Sequence, residues 1–330
     1  MRILDRRRFL AFAAVSGAVA GLGVPQQSAS AAPLEQLKLW GPPAGPSVTL
    51  AHAVATGRLD PVAASASFTA WRSPNELRAG LTSGQIVASV VPAQLAANLY
   101  NRGFPIRLAN IMTEGLLYVI SKDRGIAGIP DLVGRKLAVP FRGDTPEILF
   151  TRLLRHHGIA ETDVNVSYVG TPVEAVQLLL ADRVEAAMVL EPAASAAVLR
   201  GRKAGQQVAR VIDITEAWGE MTGGPAVLPM AGLAVTDAIY AEMSEAIAPL
   251  RTALRDTVAE VRAQPFAAAA NAAEPLNLPK PVIAESIPNS RLVARDAREI
   301  RGEVEAMFRA MARDDLQRIG GAMPDDDFYL

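Results

Sequence analysis

The sequence contains no cysteine and only three histidines, His52, His156 and His157. The absence of cysteine excludes disulfide bonds, thiolate metal ligands, cysteine nucleophiles and a lipid-bearing cysteine. His156 and His157 are neighbours in a predicted helix, where adjacent side chains point in different directions, so no metal site is expected there. Phosphate-binding loops, HExxH motifs and GxSxG elements are also missing, and no cofactor is predicted.

A marked excess of charge of either sign is missing as well. The 33 Lys and Arg residues oppose 34 Asp and Glu residues, for a formal net charge of −1. A nucleic-acid-binding surface would need a basic stripe, so no nucleic-acid partner is predicted. Half of the 330 residues are hydrophobic, which is enough to build one large domain or two lobes. No apolar run reaches the ~20 residues that a membrane-spanning helix needs.

The first 31 residues have the features of a cleaved export signal: a basic start, an Ala/Gly-rich apolar stretch and a small-residue cleavage pattern. Two arginines one residue before Phe-Leu resemble the twin-arginine signal. We therefore predict export by the twin-arginine machinery to the periplasm, with an ordinary secretory signal as the alternative. The residues that carry this prediction are Arg6, Arg7, Phe9, Leu10, Ala29 and Ala31.

The rest of the chain alternates short strand-like runs with helical patterns, which is typical of an α/β protein. Three helix starts are marked by a capping residue followed by proline and glutamate, at Ser73-Pro74, Asp144-Thr145-Pro146 and Thr171-Pro172. Each start follows a predicted strand. The carboxyl ends of parallel strands are where open α/β sheets bind ligands, so these loops are candidate site elements.

The C-terminal third is predicted to be mainly helical. The pattern indicates one long helix over 237–263, a loop-like segment with short helical pieces over 265–288, and a final helix over 290–313. Earlier in the chain, 106–111 is predicted as a single strand, and Ser47 as the cap of the first helix.

Two apolar runs, 116–121 and 226–235, lie where the chain could pass between two lobes and return. This placement predicts one lobe formed by 32–118 plus 230–330 and a second lobe formed by 119–229.

Several segments, taken in order, resemble the type II periplasmic solute-binding proteins of ABC importers, in the branch for nitrate, sulfonates, taurine and thiamine precursors. The strongest is the run Asp131-Leu132-Val133-Gly134-Arg135-Lys136, which resembles the family's opening of the second lobe. Further on, the turn at Asp182–Ala187 and the pair Glu191-Pro192 follow the family order, although Asp182 stands where glycine is usual.

The resemblance implies a two-lobe α/β fold in which each lobe is a mostly parallel sheet flanked by helices, with a ligand cleft between the lobes. It implies a monomer that captures a small polar solute by hinge closure and delivers it to a membrane permease driven by an ATPase. It also implies that the chain is not an enzyme. Two alternatives stay open: a sensor that presents its ligand to a receptor, and an enzyme such as a thiamine-precursor synthase, whose cysteine-rich motifs are missing here.

Helix N-termini offer N–H groups and partial positive charge, and glycines allow close approach to a ligand. These features favour an anionic, sulfonate- or nitrate-like solute, whereas Asp144 and Glu191 favour a cationic or polar one. Ser47, Thr145 and Thr171 could instead act only as helix caps. The predicted ligand-binding residues are Gly41, Pro43, Gly45, Ser47, Pro92, Met112, Thr113, Arg142, Gly143, Asp144, Thr145, Thr171 and Glu191.

Overall fold

The computed structural model describes residues 34–330. The predicted signal peptide, with its six residues from Arg6 to Ala31, lies outside this range. The described strands are β1 (Leu37–Gly41), β2 (Ala66–Ala70), β3 (Ala88–Pro92), β4 (Ile106–Leu108), β5 (Asn110–Thr113), β6 (Leu117–Ser121), β7 (Lys136–Pro140), β8 (Asn165–Val169), β9 (Ala186–Leu190), β10 (Ala209–Asp213), β11 (Ala231–Thr236) and β12 (Leu292–Asp296).

Helices alternate with these strands over most of the described chain. They are α1 (Gly45–Ala55), α2 (Pro74–Ser83), α3 (Ala93–Asn101), α4 (Thr145–His156), α5 (Pro172–Leu180), α6 (Ala193–Lys203), α7 (Ile214–Thr222), α8 (Asp237–Met243), α9 (Ile247–Ala263), α10 (Pro265–Leu276), α11 (Lys280–Ser286) and α12 (Arg301–Met311).

The strands form two sheets. The first has the order β12-β5-β11-β3-β1-β2, with β4 also paired to β11, and the second has the order β10-β6-β9-β7-β8. The chain enters the second sheet between β5 and β6 and returns to the first at β11. The predicted α/β class with two helix-flanked sheets is therefore confirmed.

Each sheet is mixed, which corrects the expectation of mostly parallel sheets. The strands joined through helices run parallel, as in the pairs β1–β2 and β7–β8. The strands next to the two crossings run antiparallel to their neighbours, as in β11–β3 and β6–β9. Parallel neighbours need a crossover such as a helix, whereas antiparallel neighbours do not.

The C-terminal part differs from the sequence-based prediction. The segment predicted as loop-like forms the helices α10 and α11, and the predicted final helix is the strand β12 followed by α12. The predicted long helix is divided into α8 and α9, and the predicted strand over 106–111 is divided into β4 and β5. The elements β10 and α7 were not predicted at all.

Beside the point where the chain leaves the first sheet, β5 and β11 are packed too closely to admit a side chain at Gly232. A Cβ added at Gly232 of β11 would lie 1.8 Å from the backbone oxygen of Asn110. The Asn110 side chain in turn accepts a hydrogen bond from the Leu233 N–H at 3.0 Å. This contact ties β11 to β5 directly beside the point where the chain leaves the first sheet.

Candidate functional site

A cavity of about 390 Å³ lies among loops that follow strands of both sheets. From the first sheet come the loop after β1, the loop after β2, the end of β3 and the start of β11. From the second come the loops after β7, β8 and β9. The start of α11 completes the wall through Leu278, Pro279 and Val282. This volume falls within the range of small-molecule sites, which are usually concave and mostly apolar.

The wall of this cavity is mainly apolar and rich in proline. Trp71 and Phe141 contribute aromatic rings, and the Trp71 indole N–H is already used, because it donates to Ser89 Oγ at 3.1 Å. Nine prolines line the cavity: Pro42, Pro43, Pro46, Pro74, Pro92, Pro146, Pro172, Pro192 and Pro279.

Four of these nine prolines lie in the first turn of a helix. Proline occupies one of the first two positions of α1, α2, α4 and α5. Because proline has no N–H, each of these helix starts offers the cavity one donor fewer than usual. Two capping side chains engage a further donor each: Ser73 accepts from the Glu76 N–H at 3.1 Å, and Thr171 accepts from the Glu174 N–H at 3.2 Å.

Asp144 and Thr145 are the polar groups at the start of α4. Asp144 occupies the capping position, but its carboxylate makes no capping hydrogen bond. Burial raises the pKa of this carboxyl group, and the charge of Arg78 partly opposes that shift. The Thr145 side chain is only 5 % exposed, and its hydroxyl has no hydrogen-bond partner. Both residues line the cavity.

The turn that positions Asp144 has a constrained backbone. Phe141 adopts φ 58°, in the left-handed region that bulky residues rarely enter. Its N–H donates to Val169 O at 3.1 Å, and its carbonyl accepts from the Asp144 N–H at 3.0 Å. Held in this way, Phe141 contributes to the cavity wall directly beside Asp144. Backbone strain of this kind is concentrated at ligand-binding and catalytic sites.

Glu191 is fully buried, and its carboxylate is already engaged. It accepts hydrogen bonds from Arg210 Nε at 2.7 Å and from the Ser195 N–H at 3.1 Å, and a second Arg210 nitrogen donates to the same carboxylate oxygen. Arg210 also donates to Ser195 Oγ at 2.7 Å. Burial raises the pKa of Glu191, while the Arg210 charge opposes the shift. Glu191 lines the cavity, but its carboxylate is thus fully engaged by Arg210 and Ser195.

Six of the predicted ligand-binding residues come together around the cavity: Pro43, Pro92, Asp144, Thr145, Thr171 and Glu191. Seven others are not among its lining residues: Gly41, Gly45, Ser47, Met112, Thr113, Arg142 and Gly143.

Packing within the protein accounts for the placement of the residues in and around α1. This helix begins at Gly45 and is capped by Ala44, so Ser47 lies inside the first turn, where it is fully buried and does not cap the helix. A Cβ at Gly41 would lie 2.3 Å from Ser47 Oγ, and one at Gly45 would lie 2.6 Å from Ser290 Oγ. These glycines therefore accommodate neighbouring serines of the same chain.

The remaining residues that do not line the cavity are held by other contacts. Met112 and Thr113 are fully buried, and the Thr113 hydroxyl donates to Ser290 O at 2.7 Å. The Arg142 guanidinium lies 5.1 Å from the centre of the Tyr168 ring, a cation–π geometry. Gly143 has φ 82°, and its N–H donates to the Glu147 carboxylate.

Several cavity residues were absent from the predicted set. Arg72 and Arg200 bring two exposed guanidinium groups to the lining. Phe141 follows the strand β7 directly, so its position was available as a signal from the sequence. The α11 wall was missed because its segment was predicted as loop-like with short helical pieces whose positions were not given. The run Pro279-Lys280-Pro281 marks where this helix begins.

Within residues 34–330, no group of three or more His, Asp or Glu side chains is placed to hold a metal ion. Over the same range, none of the helices combines the length and apolar character that crossing a bilayer requires. The described histidines take part in local contacts: His52 lies 3.0 Å from the Asn271 side chain, and His156 packs edge-on against His157.

A model of the NMT1-like family matches residues 49–273, more than half of the chain. The chain therefore belongs to the NMT1-like family. No curated protein matches it.

Solved structures share the fold. A Parabacteroides distasonis ABC transporter protein is 24% identical, with a TM-score of 0.73 over 90% of this chain and 99% of that one. The Escherichia coli periplasmic aliphatic sulphonate binding protein SsuA is 17% identical, with a TM-score of 0.66 over 89% and 99%. The Synechocystis PCC 6803 periplasmic nitrate-binding protein NrtA is 15% identical, with a TM-score of 0.59 over 76% and 69%. The resemblance predicted from the sequence is thereby confirmed at the level of family and fold.

Proposed function

We propose that this chain is the exported solute-binding component of an ABC-type importer. The observation that carries the proposal is the cavity of about 390 Å³ whose wall is built from the strand-end loops of two sheets. A solute held there touches both sheets at once, so binding favours the arrangement in which the two are close together. The loaded form would then dock on a membrane permease served by an ATPase.

The proposed lobes are 32–118 plus 230–330 and 119–229. Strand membership supports this division, because β1–β5, β11 and β12 form one sheet and β6–β10 the other. Export to the periplasm, by the twin-arginine route through the signal over 1–31, belongs to the same proposal. The E. coli and Synechocystis proteins that share the fold are periplasmic, which supports this location.

An anionic solute of the sulfonate or nitrate kind is the sequence-based expectation for the cargo. Arg72 and Arg200 in the lining support it, as do the names of the sulphonate- and nitrate-binding proteins that share the fold. Asp144 opposes it, because a partly buried carboxylate repels an anion placed beside it. The proposed binding function therefore does not depend on the sign of the solute's charge.

A thermal-shift screen of the purified protein against sulfonates, nitrate, carboxylates, pyrimidines and amines tests the binding function. A solute present at 100 times its Kd should stabilise the folded state by about 2.7 kcal/mol. The solute should be recovered chemically unchanged after incubation. Conversion of the solute into product would favour the enzyme alternative, and the absence of binding by any class would refute the proposal. Stimulation of ATP hydrolysis in a reconstituted permease–ATPase complex would separate an importer component from a sensor.

A further inference from the structure

The size of the cavity bears on the kind of solute it takes. A volume of about 390 Å³ lies in the range of roughly 300–1,000 Å³ that is usual for sites binding small organic molecules. Nitrate, with four non-hydrogen atoms, would leave most of that space to water. A small oxyanion alone is therefore a poor match for the volume, and a solute with a larger body fits it better.

The chemistry of the wall favours an apolar body. Trp71, Phe141 and the nine lining prolines present carbon surface, and Val173 lines the mouth while remaining 53 % exposed. Large aliphatic side chains exposed to this extent are uncommon in the described chain, and this one stands beside a cavity. Contact with an apolar solute would remove Val173 and the proline faces from water, which is favourable in proportion to the area covered.

The start of α4 supplies a polar anchor within this apolar wall. The Asp144 carboxylate makes no capping hydrogen bond, and the residue lines the cavity. A carboxylate accepts hydrogen bonds and cannot donate them when ionised, so the matching group on the solute must be a donor.

Fewer backbone N–H donors than usual are available to an oxyanion at the helix starts that line the cavity. Pro146 removes one N–H from the first turn of α4, Pro74 and Pro172 do the same for α2 and α5, and Ser73 and Thr171 engage one further N–H each. An anion placed at Asp144 would thus meet a negative charge together with a depleted set of donors.

We infer that the solute has an apolar body of ring size or larger and carries an amine or other N–H donor that binds at Asp144. This inference rests on the proposed function and narrows its solute class. If the solute also carries an anionic group, that group faces Arg72 or Arg200 and not the start of α4. The strained Phe141 holds both the aromatic wall and the turn that aims the carboxylate.

Binding of matched probes to the purified protein tests the inference. We would measure Kd by titration calorimetry for phenethylamine, 3-phenylpropionate, taurine and nitrate. Phenethylamine should bind at least about 10-fold more tightly than 3-phenylpropionate, because only its ammonium group can donate to a carboxylate. It should exceed taurine and nitrate by about 10-fold or more, because these lack the apolar body.

Three variants assign the effect to residues. Asp144→Asn should weaken phenethylamine binding by roughly 10-fold or more, and should leave 3-phenylpropionate unchanged or improved. Phe141→Gly relieves the backbone constraint and removes the ring, so it should weaken both aromatic probes without lowering the melting temperature. Asp256→Asn makes the same change of charge at an exposed position of α9, outside the cavity lining, and should have no effect on binding.

Tighter binding of 3-phenylpropionate than of phenethylamine, or of nitrate and taurine than of either aromatic probe, would overturn the inference while leaving the solute-binding function standing. An Asp144→Asn protein that binds phenethylamine as well as the parent would overturn it as well. If none of the four probes binds, the inference is refuted. The wider solute screen then decides the proposed function independently.

Discussion

The buried ion pair beneath the cavity allows a quantitative test of the fold around it. Substituting Arg210→Met removes three hydrogen bonds, two to Glu191 and one to Ser195, and leaves a carboxylate with no exposed surface without its counter-charge. Breaking a buried pair from one side costs about 3–5 kcal/mol. With an unfolding entropy of ~2.1 cal/mol/K per residue, a loss of ~3 kcal/mol lowers the melting temperature of a chain of this length by about 5 °C.

The loss should depend on pH in a defined direction. Burial already raises the pKa of Glu191 in the folded state, and removing Arg210 raises it further, because the opposing charge is gone. A folded state that holds its proton more tightly than the unfolded chain loses stability as pH rises. The Arg210→Met protein should therefore lose least near pH ~4.3, the ordinary value for Glu, and lose progressively more toward pH 8.

Calorimetric melting of four proteins over this pH range provides the measurement. The double variant Glu191→Gln/Arg210→Met has no buried charge and should recover most of the loss. Arg202→Met, an exposed arginine on α6, serves as the control and should change stability by no more than ~0.5 kcal/mol. An Arg210→Met protein that melts with the parent, or a double variant no more stable than the single one, would refute the reasoning.

Three further outcomes are expected. Asp144→Asn should stabilise the ligand-free protein at pH 7 by about 1 kcal/mol, seen as a higher melting temperature. Because burial raises the Asp144 pKa, this gain in stability should vanish as pH falls toward ~3.9. A gain that persists at that pH would contradict this account. Thr171→Ala removes the cap of α5 and should cost about 1 kcal/mol, which Thr171→Ser should restore. Gly232→Ala should cost more than ~3 kcal/mol of stability, since its Cβ would overlap Asn110 O. Gly302→Ala, with open space around it, should be neutral or stabilising. Equal urea denaturation midpoints for these two variants would disprove the predicted backbone contact.

The elements that the sequence predicts well are those with local signals. Ser73-Pro74 and Thr171-Pro172 begin α2 and α5, where the side-chain caps are observed. Such starts depend on the φ angle of proline and on one short hydrogen bond, so they form with little help from the rest of the chain. The division into two lobes was predicted from the two apolar runs 116–121 and 226–235, and it stays a prediction.

The elements that the sequence misplaces depend on distant partners. Strand β12 exists because it pairs with β5, nearly two hundred residues earlier in the chain, and its run Leu-Val-Ala-Arg-Asp has no strong strand pattern of its own. Helix α10 lies in a segment predicted as loop-like with short helical pieces because it is rich in Pro, Ala and Asn. Pro265 stands at the first position of this helix, where proline is tolerated, and the alanine run that follows favours helix.

The candidate site was predictable as a set of loops, but the orientation of its side chains was not. Strand ends and helix starts locate 42–46, 141–146 and 171–173 at one place, as the cavity lining requires. A shift of one or two residues in where a helix begins decides whether a given residue faces the cavity. Because α1 begins two residues before the predicted cap, Ser47 turns into the core, and Pro46 faces the cavity instead.

The same prolines serve the fold and restrict the ligand. A proline at a helix start sets φ for the first turn, which helps to fix the direction in which each helix leaves its sheet. It also replaces an N–H donor by three methylene groups at the helix end that faces the cavity. A site that recognised an oxyanion through helix N-termini would retain those donors, so a wall in which four helix starts carry proline is better suited to carbon. In such a wall, the Asp144 carboxylate, which unlike Glu191 is not paired with Arg210, contributes more to selectivity than a carboxylate in water, because burial strengthens its interaction with a charged solute.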